Sequence, residues 1–126
     1  TNDAVQTIDR IIDVFPPHQQ GQIRMQLSLA LQAIFAQTLI PRCDQRGRVI
    51  AVEVLIATSA IRNLIREGKT FQIPTAMQTG AKLGMQMMDA SLRKLYMERK
   101  ISIQEALLRA SEPEEFKRSV NAMNIV

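Results

Sequence analysis

Few residues in this chain are of the types that do chemistry, and their spacing excludes most of it. There is one cysteine, Cys43, and one histidine, His18. A zinc site of the usual kind draws about four ligands from such residues, so none can be assembled here. A Cys43/His18 nucleophile pair is formally open. His18, however, falls in a loop behind two prolines, and Cys43 in a hairpin turn. No GxxxxGK[ST] loop is present to cradle a phosphate. The stretch TGAKLG, Thr79 to Gly84, resembles one only faintly: its spacing is wrong and it lies inside a helical pattern. The chain alone therefore offers no catalytic, cofactor-binding or metal-binding residue, and by itself it does not read as an enzyme.

Three polar features remain. Glu53 is an acid within an apolar strand, RVIAVEVLI. It is expected either to form a structural ion pair or edge contact, or to face a site completed by other segments. Arg10, in TIDRIID, divides the same way: it pairs with Asp9, Asp13 or another acid, or it faces a phosphate site. The third feature is AIRNLIRE, residues 60 to 67. Ala60, Ile61, Leu64 and Ile65 follow the spacing that lines one side of an α-helix. Arg62, Asn63, Arg66 and Glu67 fall on the other side. Thr58 and Ser59 are candidate N-caps, and Gly68 suits the position after the helix end. Two arginines one turn apart repel slightly, so something outside the helix is expected to use both charges.

The elements that must position these residues are mostly helical. Asn2 can cap a first helix over about 3–15, with Val5, Ile8, Ile12 and Phe15 as its stripe and Pro16 and Pro17 as its stop. A second helix is predicted over about 19–37, with Ile23, Leu27, Leu31 and Ile34 aligned. Residues 38–56 read as a β-hairpin turning around Asp44 to Gly47. Its second strand is apolar on both faces apart from Glu53, which suggests a larger sheet than two strands. AIRNLIRE follows as a helix over 59–67. A long helix is predicted over about 74–99, with Pro74 in its first turn and Gly80 and Gly84 one turn apart. Ser102 with Glu105 forms a capping box, with Ile101 and Ala106 placed as a staple, before a helix over 103–110. Ser111, Pro113 and Glu114 announce another over 112–122. The fold class is thus mostly α with one β-hairpin.

The bulk numbers fit one domain. At 126 residues, with 46% hydrophobic and 22% charged residues, a core forms without staples. A single cysteine excludes an internal disulfide and fits a reducing compartment. No run of about 18 apolar residues exists to span a membrane, and no signal peptide is visible. The net charge is +4, but the basic residues are interspersed with acids and aromatics are few. Nucleic acid is therefore not an expected partner.

These stretches carry a resemblance. TIDRIIDVFP, the QTLIPR and GRVIAVEVLI hairpin, AIRNLIRE and QTGAKLGMQMMDASLRKL resemble the C-terminal part of the type IV pilus retraction ATPases, the twitching-motility motors of the secretion ATPase superfamily. It covers nearly the whole chain, and the last ten residues or so are the least characteristic. AIRNLIRE is its most specific element. The resemblance implies the C-terminal portion of a RecA-like α/β P-loop ATPase domain spanning residues 1–126. It implies a cytoplasmic homohexamer peripheral to the bacterial inner membrane, with a pilus inner-membrane platform protein as partner. ATP and Mg2+ would be held upstream, since Thr1 and Asn2 look like the residues just after the family's histidine box. The retraction motif carries over as Ala60, Ile61, Arg62, Asn63, Leu64, Ile65, Arg66 and Glu67. Arg10 and Glu53 are candidate inter-subunit or nucleotide-sensing residues.

Other readings predict different things. A type II secretion or pilus extension ATPase fragment would share the fold but not the direction of work. A free-standing helical interaction module would use the basic face of AIRNLIRE for docking, yet would be expected to cover its orphan strand.

Overall fold

Helix ends explain much of this architecture, some closed by neighbouring residues and some by residues far along the chain. The computed structural model describes residues 3–124. Two compact units emerge, and the hairpin contributes to both. One gathers the chain up to Ala36 with Glu53–Met87; the other gathers Gln37–Val52 with the chain from Met88 onward.

In the first unit, helix α1 (Ala4–Asp13) starts at Asp3, whose carboxylate accepts the Gln6 N–H at 2.7 Å. The cap expected at Asn2 lies outside the described residues. Ala4, Ile8 and Ile12, four residues apart, are buried. Helix α2 (Pro17–Ala30) begins on the second proline of the pair. The two prolines thus separate the helices and open the next one, since proline has no N–H to lose at a first helical position.

The helix predicted over 19–37 is shorter than its periodicity suggests. It ends at Ala30, and strand β1 (Ala33–Pro41) takes over. Leu31 turns extended, and the Gln32 carbonyl accepts the Ala57 N–H at 3.0 Å. Pairing with strand β2 (Arg48–Ile56) in a two-stranded sheet prevails over helical propensity here. Ala36 and Ile40 of β1 and Ala51, Glu53 and Leu55 of β2 are buried.

Helix α3 (Ser59–Arg66) follows, and then a single tight turn over Thr70–Gln72. The long helix predicted over 74–99 does not form. Instead helix α4 (Ile73–Gln78), with Pro74 in its first turn, ends before Gly80. A short turn, Ala81–Leu83, is closed by Gly84 at φ +94°, a left-handed conformation that suits glycine. Gln86 then exchanges backbone hydrogen bonds with Val54, at 2.7 and 2.9 Å. The free edge of β2 recruits this backbone, so its polar groups pair sideways instead of along a helix axis. The core of the unit joins Ile8, Ile12, Leu55, Ile61, Ile65, Ile73, Met77 and Met85.

The second unit holds helices α5 (Met88–Met97), α6 (Ile103–Arg109) and α7 (Pro113–Asn124). Its core joins Ile40 and Ala51 to Leu92, Leu95, Ile101, Ala106, Phe116 and Val120. Ser102 caps α6, accepting the Glu105 N–H at 3.1 Å, while the Glu105 carboxylate pairs with Arg109. The start of α7 is held from elsewhere: the Asp89 carboxylate accepts the Ser111 and Glu112 N–H groups at 2.8 and 3.1 Å. At the hairpin tip, Arg42 donates its N–H to the Gly47 carbonyl, and Gly47 sits at φ +107°.

Candidate functional site

AIRNLIRE is built almost entirely as helix α3 and is closed at both ends. Thr58 Oγ1 accepts the Ile61 N–H at 3.3 Å. At the other end Gly68, at φ +71°, donates to the Ile65 carbonyl, and Lys69 donates to the Leu64 carbonyl at 2.8 Å. This pair of bonds with a left-handed glycine is a Schellman motif. A side chain at Gly68 would be strained, and it would sit 3.5 Å from Arg24 Nε of α2.

The motif divides into an inner and an outer half. Ile61 and Ile65 are fully buried, and Leu64 is half-buried against the same core. Ala60, expected on the apolar side, is exposed. The two arginines do different things. Arg62 is half-buried and donates from Nη1 to the Ser28 carbonyl at 2.6 Å and the Leu29 carbonyl at 3.3 Å. Those carbonyls close α2 and have no helical donor of their own. A cation there also meets the negative end of the helix dipole. Arg62 therefore has a partner inside the chain, contrary to the expectation that both charges point outward. Arg66 is exposed and donates to Asn63 Oδ1 on its own helix. Glu67 faces Lys69 at 3.4 Å, both half-exposed, so that pair contributes little.

Glu53 lies on β2 with 4% of its surface exposed. Its Oε1 accepts the Ala4 N–H at 2.8 Å, which places a carboxylate at the positive end of α1. Arg10 is exposed on α1 and forms no ion pair among the described residues; its neighbour Asp9 instead accepts the Thr70 hydroxyl at 2.8 Å. No periodicity or spacing links Arg62 to residues 28 and 29, or Glu53 to residue 4. Both contacts depend on how distant elements meet, so sequence reasoning missed them.

Among the described residues no three His, Cys, Asp or Glu side chains converge. Thr79 to Gly84 forms a turn in which Thr79 donates to the Ala76 carbonyl and Met85 to the Gly80 carbonyl. His18 is exposed in the first turn of α2, in the first unit, while Cys43 belongs to the second. Cys43 donates its thiol weakly to the Arg99 carbonyl at 3.4 Å, beside a cavity of about 330 Å³ lined by Tyr96, Met97, Arg99 and Ile101. No acid is among the residues that line it.

No protein-family model matches the chain. Among curated proteins, it is 47% identical over 116 residues to the type IV pilus retraction ATPase PilT of Pseudomonas aeruginosa, covering 92% of this chain and 33% of that protein. It is 45% identical over 114 residues to a twitching motility protein of Neisseria gonorrhoeae, covering 90% of this chain and 30% of that one. The crystal structure of the pilus retraction motor PilT with bound ADP superimposes with a TM-score of 0.81 at 44% identity. That match covers 94% of this chain and 32% of the motor. The chain resembles part of the PilT-type ATPases. It spans about a third of the length of the PilT-type relatives it matches. Its helices and hairpin are a partial PilT-type fold, and the fold is mostly α with a single two-stranded antiparallel hairpin among the described residues. No helix among them is long and apolar enough to cross a membrane.

Proposed function

We propose that this chain is the C-terminal part of a hexameric, ATP-driven motor that retracts type IV pili for twitching motility. The observation that carries the reading is 47% identity to PilT over 92% of the chain, together with an AIRNLIRE helix fully formed and capped. ATP and Mg2+ would be bound by the parent motor, as the pilus retraction motor structure this chain resembles holds ADP. The motor would work in the cytoplasm, against a platform protein of the inner membrane.

Within this reading Ala60 to Glu67 form the retraction motif, and Arg10 and Glu53 take separate parts. Arg10 is exposed and outside any ion pair among the described residues, which suits contact with a neighbouring subunit. Glu53 is buried at the start of α1, which suits relaying a change in the segment before that helix.

The test is complementation. The full-length protein is expressed in a bacterium lacking its retraction ATPase, and pilus retraction and twitching are scored. Restored retraction supports the reading, and its loss in R66A/E67A places the motif in it. A protein that restores pilus assembly instead is an extension ATPase. One that restores neither, though folded and expressed, defeats the motor reading.

A further inference from the structure

We propose that Arg62 is a positioning residue, a clamp that makes α2 and α3 one body. The inference rests on the motor reading for its effect on retraction, and on this chain alone for the clamp.

The clamp has three parts. Arg62 reaches from α3 to the carbonyls that end α2, at 2.6 and 3.3 Å. A charge-assisted bond to orphan carbonyls is among the stronger kinds available to a half-buried side chain. The Ala57 N–H, just before the Thr58 cap, is tied to the Gln32 carbonyl, just after the end of α2. In the opposite direction, Arg24 of α2 lies against Gly68, where α3 stops. Each helix thus sends an arginine to the other's C-terminal end, and the two pack along each other. Arg66, one turn after Arg62, bonds Asn63 on its own helix and, among the described residues, forms no ion pair; it stands exposed. The like-charge spacing is then no anomaly: one arginine is directed inward and one outward.

The two roles separate under substitution in the full-length protein. R62M keeps the aliphatic stem and removes the donors, R62K keeps a charge with a single donor point, and R66M strips the outward group. Hydrogen exchange is followed on peptides covering residues 27–32, alongside pilus retraction. R62M is expected to speed exchange there about tenfold, the loss of one charge-assisted bond. R62K should recover part of that protection and part of retraction, and R66M should leave exchange unchanged. Unchanged exchange in R62M overturns the clamp; fast exchange with retraction intact overturns its part in retraction. Should R62M fail to fold, R62K decides alone: exchange and retraction at wild-type levels overturn the proposal, and an intermediate loss of both supports it. If the unsubstituted protein does not retract pili at all, the motor reading falls, and the exchange arm still decides the clamp.

Discussion

Helices α3 and α5 end in the same way with different residues. In α3, Gly68 takes the left-handed position at φ +71°, with bonds from Gly68 and Lys69 to the Ile65 and Leu64 carbonyls. In α5, Arg99 takes that position at φ +62°, with bonds from Arg99 and Lys100 to the Tyr96 and Leu95 carbonyls. The first unit uses the residue the geometry favours; the second carries a side chain that the geometry penalises. A similar contrast separates two carboxylates. Glu53 is buried and fixes the start of α1, while Asp89 is partly exposed and fixes the start of α7. The chain solves each problem twice, and burial decides how much each solution is worth.

Core substitutions are the strongest way to break this comparison. Phe116 is 1% exposed and carries the Arg93 guanidinium 5.8 Å above its ring. Phe116→Ala should cost about 3–5 kcal/mol in urea unfolding. Ile61→Ala in the first unit should cost about 2–5 kcal/mol, since the residue is fully buried. A cost below about 1 kcal/mol for Ile61→Ala would mean that the inner half of AIRNLIRE is not core and that its isoleucines serve a partner.

The carboxylates come next. Glu53→Ala removes a buried acceptor and leaves the Ala4 N–H without it, at a cost of about 2–3 kcal/mol. Asp89→Ala removes an acceptor of two N–H groups near solvent, and water can replace it, so about 1 kcal/mol is expected. Thermal unfolding of the two variants side by side checks the order. Equal costs would mean that burial is not what separates the two sites.

How legible all this was depends on distance along the chain. Thr58, Gly68, Pro74 and Ser102 are readable because each device spans six residues or fewer, and propensity and tertiary structure agree there. Residues 33–37 read as helix because Leu27, Leu31 and Ile34 continue the period; strand pairing with residues far ahead prevails instead. Residues 74–99 read as one helix because Met77, Ala81, Met88 and Leu92 keep step across the break. What breaks the run is the β2 edge at Val54, some thirty residues earlier, which no local window contains. The site follows the same rule. The AIRNLIRE helix was visible, but the inward turn of Arg62 was not, because its acceptors are backbone carbonyls that any sequence would supply.

The helix ends can be tested in opposite directions. Gly68→Ala should destabilise by about 1–2 kcal/mol, because alanine is strained at a left-handed position. Arg99→Gly should stabilise by about 1 kcal/mol, since it relieves that strain, offset in part by the freedom glycine gains when unfolded. Chemical denaturation reads both. Destabilisation by Arg99→Gly would mean that the arginine side chain makes up for its backbone strain.

The smallest effect lies at the hairpin tip, where Arg42 and Asp44 form a two-bonded pair at 2.7 and 2.8 Å. The hydrogen bond from Arg42 holds the Asp44 carboxyl below the usual aspartate range, and the Arg42 guanidinium is raised in turn by Asp44. A carboxyl whose folded value is lowered contributes stability above its unfolded value and loses it as pH falls through the folded one. The pair is therefore fully effective at neutral pH and lost only in acid, below the ordinary aspartate range. Because the pair stands at the surface, screening leaves its effect on overall stability small, so the titration itself is the sensitive readout. NMR detection of the Asp44 carboxyl should give a midpoint below that of an unpaired aspartate, and Arg42→Ala should move it upward. A midpoint indifferent to Arg42 would mean that the pair does not persist in solution and that Gly47, not the ion pair, sets the turn.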